Sequence, residues 1–379
     1  MKRFIVIFLG FLFQISHLSA QQRTPYVQQR SPNYGDSANN VQNSPNRDEG
    51  NTSRREIDFF GEQVKPKTKG RPALSAKLKN QSGISFNVQL GYMYGELEEL
   101  VMASSSDKYD LDSQLTWKLQ DTLNISVGFE IILRKIYLKL GASLPMVLTK
   151  AKMEDRDWLF DSFPAGTSAS KVVASAISHY SASDTENDLS FSAYGMFAIN
   201  LLEKGRAPRL DLGASFMYMT WGWRALATEG LYYVDDQGAF AGFIPAPSSG
   251  NTIDYRIHYL IPAVSVRFSV RWGIYGTEVF LNYSPFTVFF DRDEHIVTKI
   301  TSDGFGLLGQ MVWGGLSNYL WITDNWAINF GLRGKVLFRT SIGSLIQLNS
   351  NTGVTTTTQN AAGSEYFDIE GFVGVTLHL

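Results

Sequence analysis

Apolar and polar residues alternate with a period of two in segment after segment between Ile84 and Leu379, which restricts these segments to strands with two unlike faces. In the first segment Phe86, Val88, Leu90, Tyr92 and Tyr94 share one parity, against Asn87, Gln89 and Gly91 on the other. Ile136, Leu138, Leu140, Ala142 and Leu144 alternate with Lys135, Tyr137, Lys139 and Ser143. Trp326, Ile328, Phe330, Leu332, Val336 and Phe338 oppose Asn329, Arg333, Lys335 and Arg339. Such segments run to about 15 residues, longer than the usual globular strand. Long tilted strands with an apolar outer and a polar inner face are what a bilayer demands of a closed barrel, since hydrocarbon tolerates no open sheet edge. Trp313, Tyr319, Trp321 and Trp326, near segment ends, are expected in its interfacial girdles. A water-soluble secreted β-domain is the competing reading.

The first twenty residues read as an export signal. Lys2 and Arg3 form its basic start, Phe4 to Ile15 its apolar stretch, and Ser19-Ala20 a cleavage site of small residues. Residues 21–83 are rich in Gln, Asn, Ser, Pro, Arg and Lys and lack strand or helix periodicity, so a flexible polar extension is expected there. Residues 84–379 form the barrel. After the signal no stretch approaches the roughly 18 apolar residues of a membrane helix. Aromatics at 13% and 33 Gly against 12 Pro suit an outer-membrane barrel. A net charge of −2 supplies no basic field for nucleic acid. The chain has no cysteine, so it carries neither disulfides nor a lipidated N-terminal Cys.

Ten alternating segments can be counted, at about 84–101, 113–133, 135–149, 187–203, 208–228, 253–272, 274–290, 303–321, 325–340 and 364–379. The connections after even-numbered segments are short: Arg134, Glu203–Ala207, Trp272–Gly273 and Ile322–Asp324. Those after odd-numbered segments are long. The expected fold is therefore an all-β, ten-stranded antiparallel transmembrane barrel with short periplasmic turns and long extracellular loops. Two acidic clusters, Asp155-Arg156-Asp157 and Asp291-Arg292-Asp293-Glu294-His295, follow the third and seventh segments and open polar loops at one end of the barrel. In each cluster alternate residues share a face if the strand continues.

On that face Asp293 can orient and charge-stabilise His295, which then serves as general base towards a water. Asp155 and Asp157 form a second pair, able to share a proton or hold one water between them. Water held between the two pairs could attack a peptide carbonyl without a covalent intermediate. A metal is the rival reading, but one His among scattered Asp is a poor zinc set, and none is expected. A solvated charged loop with no chemistry is the bland alternative for each cluster alone. His179 falls in a Ser/Ala-rich loop and His258 in mid-strand, and neither sits in a recognisable catalytic spacing.

With these residues in view the chain resembles the omptin family of bacterial outer-membrane proteases. Met153-Glu154-Asp155-Arg156-Asp157-Trp158 looks like the omptin segment carrying paired aspartates, and Asp291-Arg292-Asp293-Glu294-His295 like its Asp-x-Asp-Glu-His segment. Gly95-Glu96-Leu97-Glu98-Glu99-Leu100-Val101 and Ser113-Gln114-Leu115-Thr116-Trp117-Lys118 are similar to its first- and second-strand motifs. The resemblance implies Asp155 and Asp157 as a water-binding couple and Asp293 and His295 as a catalytic dyad. It implies Glu99 and Asp291 as the carboxylates of a pocket for a basic side chain. It further implies an outer-membrane endopeptidase facing the exterior, acting on polypeptides with basic residues, and a requirement for lipopolysaccharide. The chain departs from the family at Leu159-Phe160-Asp161-Ser162-Phe163-Pro164, at Ile296, and at a C-terminal Leu379 where an aromatic is common. The alternative is an inactive barrel acting as adhesin or receptor. A porin fits less well, because so small a barrel is filled by its own side chains.

Overall fold

The computed structural model describes residues 83–102, 111–147, 151–157, 179–202, 208–226, 231–234, 240–244, 250–338 and 343–379. The export signal and all but the last residue of the polar extension lie outside them.

Ten staves make the wall. The first is β1 (Gly83–Met102), and the second is broken into β2 (Leu111–Lys118) and β3 (Thr122–Ile132). The third comprises β4 (Ile136–Val147) and β5 (Ala151–Asp157), and the fourth β6 (His179–Asn187) and β7 (Phe191–Asn200). The fifth is β8 (Arg209–Leu226), followed by a short hairpin of β9 (Leu231–Val234) and β10 (Phe240–Ile244). The sixth to eighth are β11 (Asn251–Trp272), β12 (Tyr275–His295) and β13 (Ile300–Trp321). The ninth holds β14 (Trp326–Leu337) and β15 (Gly343–Asn349), and the tenth, β17 (Ala362–His378), follows the short β16 (Val354–Thr358). In the lower tier β1 pairs with β3, then β4, β7, β8, β11, β12, β13, β14 and β17 follow in turn. The ring closes through β17 against β1, from Ser85↔His378 to Val101↔Ala362. Every pairing is antiparallel, and no helix occurs among the described residues.

The lower tier obeys the alternation read from the sequence. Phe86, Val88, Leu90, Leu140, Phe197, Val264, Val266, Phe330, Leu332 and Val373 are exposed on the outside, where lipid rather than water is their solvent. This outward apolar belt excludes the water-soluble β-domain. The inner face is charged but paired. Arg267 reaches Asp211 and Glu278 at 2.7 Å each and lies over the Tyr137 ring, while Arg333 clasps Glu370 at 2.6 and 2.7 Å. Buried charges survive only when so matched, because an unpaired one costs several kcal/mol. Of the four girdle aromatics expected, Trp326 stands outside, as do Trp272 and Tyr275, whereas Trp313 is buried inside and Tyr319 and Trp321 line an inner cavity. The parity of those residues, rather than their nearness to a strand end, decides their direction. At the short-turn end, Gly273 takes a φ of 63° to reverse the chain between β11 and β12.

Higher up, the alternation changes phase. On β11 the outward apolar set Pro262, Val264 and Val266 gives way to an inward one of Ile253, Tyr255, Ile257, Tyr259 and Ile261, with Arg256 and Asp254 turned outward. The period stays at two, but the apolar face has moved from lipid to lumen, because the wall has left the bilayer. These inward residues join Leu97, Trp117, Met153, Trp221, Trp223, Phe289 and Tyr366 in one buried cluster that plugs the barrel. Its rings stack: Trp117 lies 5.4 Å from Trp223 and 5.1 Å from Tyr255, and Trp223 lies 5.4 Å from Trp221. Each such ring removes about 150–250 Å² from water, so this plug is the main hydrophobic core of a protein whose middle faces lipid. It also closes the lumen beneath whatever sits on top.

Candidate active site

Both acidic clusters lie in strands rather than at the start of loops. Asp155 and Asp157 belong to β5, and Asp291, Asp293 and His295 close β12, five residues beyond the end expected for that segment. The reason is the change of phase. Above the bilayer the outer face turns polar, so Lys152, Glu154 and Arg156 continue the wall while reading as loop. Parity then does what extended backbone requires: Asp291 and Asp293 point into the lumen, 7% and 3% exposed, and Arg292 and Glu294 point out.

Register carries the remaining groups to the same level. Glu99 of β1 pairs with Leu115 of β2, which pairs with Asp155 of β5. On the facing wall Tyr255, Asp293 and Ser302 form one row, and Ile257, Asp291 and Gly304 the row below. The imidazole Nε2 of His295 is 2.6 Å from Asp293 Oδ2, which leaves Nδ1 for another partner. The two clusters fall within each other's field: His295 acts on Asp155, Asp155 and Asp157 act on His295, and Asp293, Asp291 and Asp155 all act on Glu99. All six sequence-nominated residues thus meet above the aromatic plug.

The site lies above the lipid-facing belt, at the level where Arg256, Arg292 and Glu294 face outward. Its electrostatics are those of crowded acids. Burial, then repulsion from Asp157, pushes Asp155 up to about 8 although the His295 cation pulls it back. Burial and the Asp293 charge raise Asp291 to about 7, against a hydrogen bond from the Gly304 main chain. Glu99 is held well above the ordinary carboxylate range by burial and by its three acidic neighbours. Burial alone would lower His295; the Asp293 carboxylate reverses this by charge and hydrogen bond, and the imidazole rises to about 9. At neutral pH the resting cluster therefore holds several exchangeable protons shared among its members. Glu99 Oε2, Asp155 Oδ1 and Asp293 Oδ1 are buried without a hydrogen-bond partner. Among the described residues no three acidic or imidazole groups converge tightly enough to hold a metal ion.

Two features were not read from the sequence. The first is the floor: Tyr255 has a buried hydroxyl without a partner in the field of Glu99 and Asp291, and its ring is fixed by the stack on Trp117. The inverted phase of β11 is the signal that would have placed it. The second is His179, whose main chain pairs with Asp157 in β6 rather than lying in a loop.

A closed ten-stranded transmembrane barrel, plugged by aromatics and crowned by an Asp–His pair facing an Asp–Asp pair, is the class of protein defined by this fold and site. The Omptin family model matches residues 80–379, and the chain belongs to that family. Among solved structures it is similar to the outer membrane protease OmpT from Escherichia coli, at 18% identity and a TM-score of 0.67, over 78% of this chain and 97% of that one. It also matches the translocator domain of the autotransporter NalP from Neisseria meningitidis at 8% identity and a TM-score of 0.33, over 79% and 89% of the two chains. No curated protein matches in sequence.

Proposed function

We propose that this omptin is an outer-membrane endopeptidase, its site facing the cell exterior, that hydrolyses polypeptides at basic residues with a water activated between its two acidic pairs. The observation that carries this is the meeting of Asp155 and Asp157 with Asp293 and His295 from opposite sides of one lumen. Asp155 and Asp157 would hold the water, and neutral His295, oriented by Asp293, would take its proton as the water oxygen bonds to the scissile carbonyl carbon. The carbon–nitrogen bond then breaks as the imidazolium returns that proton to the leaving amine. No acyl-enzyme forms. Glu99 and Asp291, two carboxylates in a partly dry pocket, would pair with the cationic side chain before the cleaved bond, and a planar guanidinium can pair with both.

The reading also includes dependence on lipopolysaccharide. The test is to refold the protein with and without lipopolysaccharide and offer it peptides containing Arg-Arg, Lys-Lys or no basic residue. Cleavage beside basic residues, requiring the lipid and indifferent to chelators, is the expected result. Chelator-sensitive cleavage would bring back a metal, and wild type inactive on every peptide would point to an adhesin or receptor.

A further inference from the structure

We infer that Gly304 is the positioning residue that lays the Asp291 carboxylate in place and so sets the charge recognition of the pocket. Asp291 has little choice of direction. On one side it pairs with Ile257, which is fully buried and fills the wall of β11. Along its own strand the next inward groups are Phe289 below and the Asp293 carboxylate above. The remaining side is β13, where Gly304 stands in direct register. There the carboxylate lies across the neighbouring strand, directly against the Gly304 backbone.

Only a residue without a side chain permits this. A Cβ at position 304 would stand 2.0 Å from Asp291 Oδ1, 2.8 Å from Cγ and 3.0 Å from Oδ2. Beyond Gly304 the trough is closed by Leu345 of β15, buried and in register, so the carboxylate cannot slide further along the row. Two residues on, Gly306 plays the same steric part for the Phe289 ring, whose Cε1 would be 1.9 Å from a Cβ there. The pair Gly304 and Gly306 is thus a shallow inner trough in β13, holding one carboxylate and one ring flat against the wall. An alanine at 304 drives the Asp291 carboxylate off this backbone, towards Asp293 or into the lumen, where it no longer faces Glu99 with the same geometry.

This inference rests on the reading of Glu99 and Asp291 as a cation pocket, and its test separates the two. Agmatine, a guanidinium probe, is titrated into the full-length protein in lipopolysaccharide-containing micelles, with folding checked by gel mobility before heating. Gly304→Ala is expected to weaken binding at least about tenfold, the scale of one lost charge-assisted hydrogen bond. Asp291→Asn weakens it too, and the double variant binds no worse than Asp291→Asn alone, because Gly304 acts through Asp291. In peptide cleavage the Gly304→Ala defect falls on KM, with kcat retained. Unchanged agmatine affinity in Gly304→Ala, or losses that multiply in the double variant, overturns the positioning role while leaving the pocket standing. Wild type that binds no agmatine overturns the pocket itself. If Gly304→Ala does not fold, Asp291→Glu replaces it: the longer side chain keeps the charge but overruns the trough, so wild-type affinity in that variant contradicts the inference.

Discussion

Alanine at position 295 is expected to lower kcat/KM on an Arg-containing peptide by about 10²–10⁴-fold, the usual contribution of a placed general base, while the barrel folds as before. His295 is partly exposed at the top of β12 and does not belong to the aromatic plug, so its removal leaves the core intact. Asp293→Asn should cost a similar factor by a different route, and the pH profile tells the two apart. In the wild type Asp293 raises the imidazole to about 9, so the base form is scarce at neutrality and kcat/KM climbs with pH through the alkaline range. Without the Asp293 charge the imidazole titrates lower, and the ascending limb of the residual activity moves to lower pH. His295→Ala has no imidazole to titrate, and the limb attributable to it is lost. A wild-type limb that stays in place in Asp293→Asn would contradict the pairing seen at 2.6 Å.

The second large effect concerns which peptides are cut. Glu99→Gln and Asp291→Asn should each reduce kcat/KM for cleavage after Arg by about 10²-fold, as expected when one partner of a desolvated charge pair is removed. Cleavage after an uncharged Gln should change little. The ratio of the two substrates, measured by peptide cleavage with both variants and their double, is the informative number. Each neutral variant also spares the fold a buried carboxylate. Asp291 titrates near 7 in the folded chain, so its ionisation at higher pH opposes folding, and stability from this group falls as pH rises from the ordinary carboxylate range through about 7. A preference for Arg that survives in the double variant would remove Glu99 and Asp291 from the pocket.

The lower barrel was legible because lipid imposes one rule on every strand: Phe86 to Tyr94 and Trp326 to Leu332 are apolar on alternate residues and face outward throughout. The ten staves and the short turns at one end follow from that rule alone. The convergence of Asp155 with Asp293 and His295 was legible for a related reason, since odd-numbered staves all rise to the same rim and extended backbone keeps alternate residues on one side. What the alternation hid was the height of the wall. Above the bilayer Ala151 and Met153 turn inward and Lys152 outward, so β5 and β6 read as one long loop when apolar was taken to mean outside. The same inversion hid the plug and Tyr255. The role of Gly304 was illegible for another reason: a glycine signals nothing until the residue lying across it is known, and Asp291 reaches it from the neighbouring strand.

If the two acidic pairs on opposite sides of the lumen work as one hydrolytic unit, a double-substitution cycle between Asp155 and His295 will read their coupling. Wild type, Asp155→Ala, His295→Ala and the double variant are refolded with lipopolysaccharide, and kcat/KM is measured on one Arg-containing peptide. Groups acting on the same water are grossly non-additive, so the double variant should be no slower than the worse single variant. Full activity in either single variant, or losses in the double that multiply as for independent sites, would contradict that coupling.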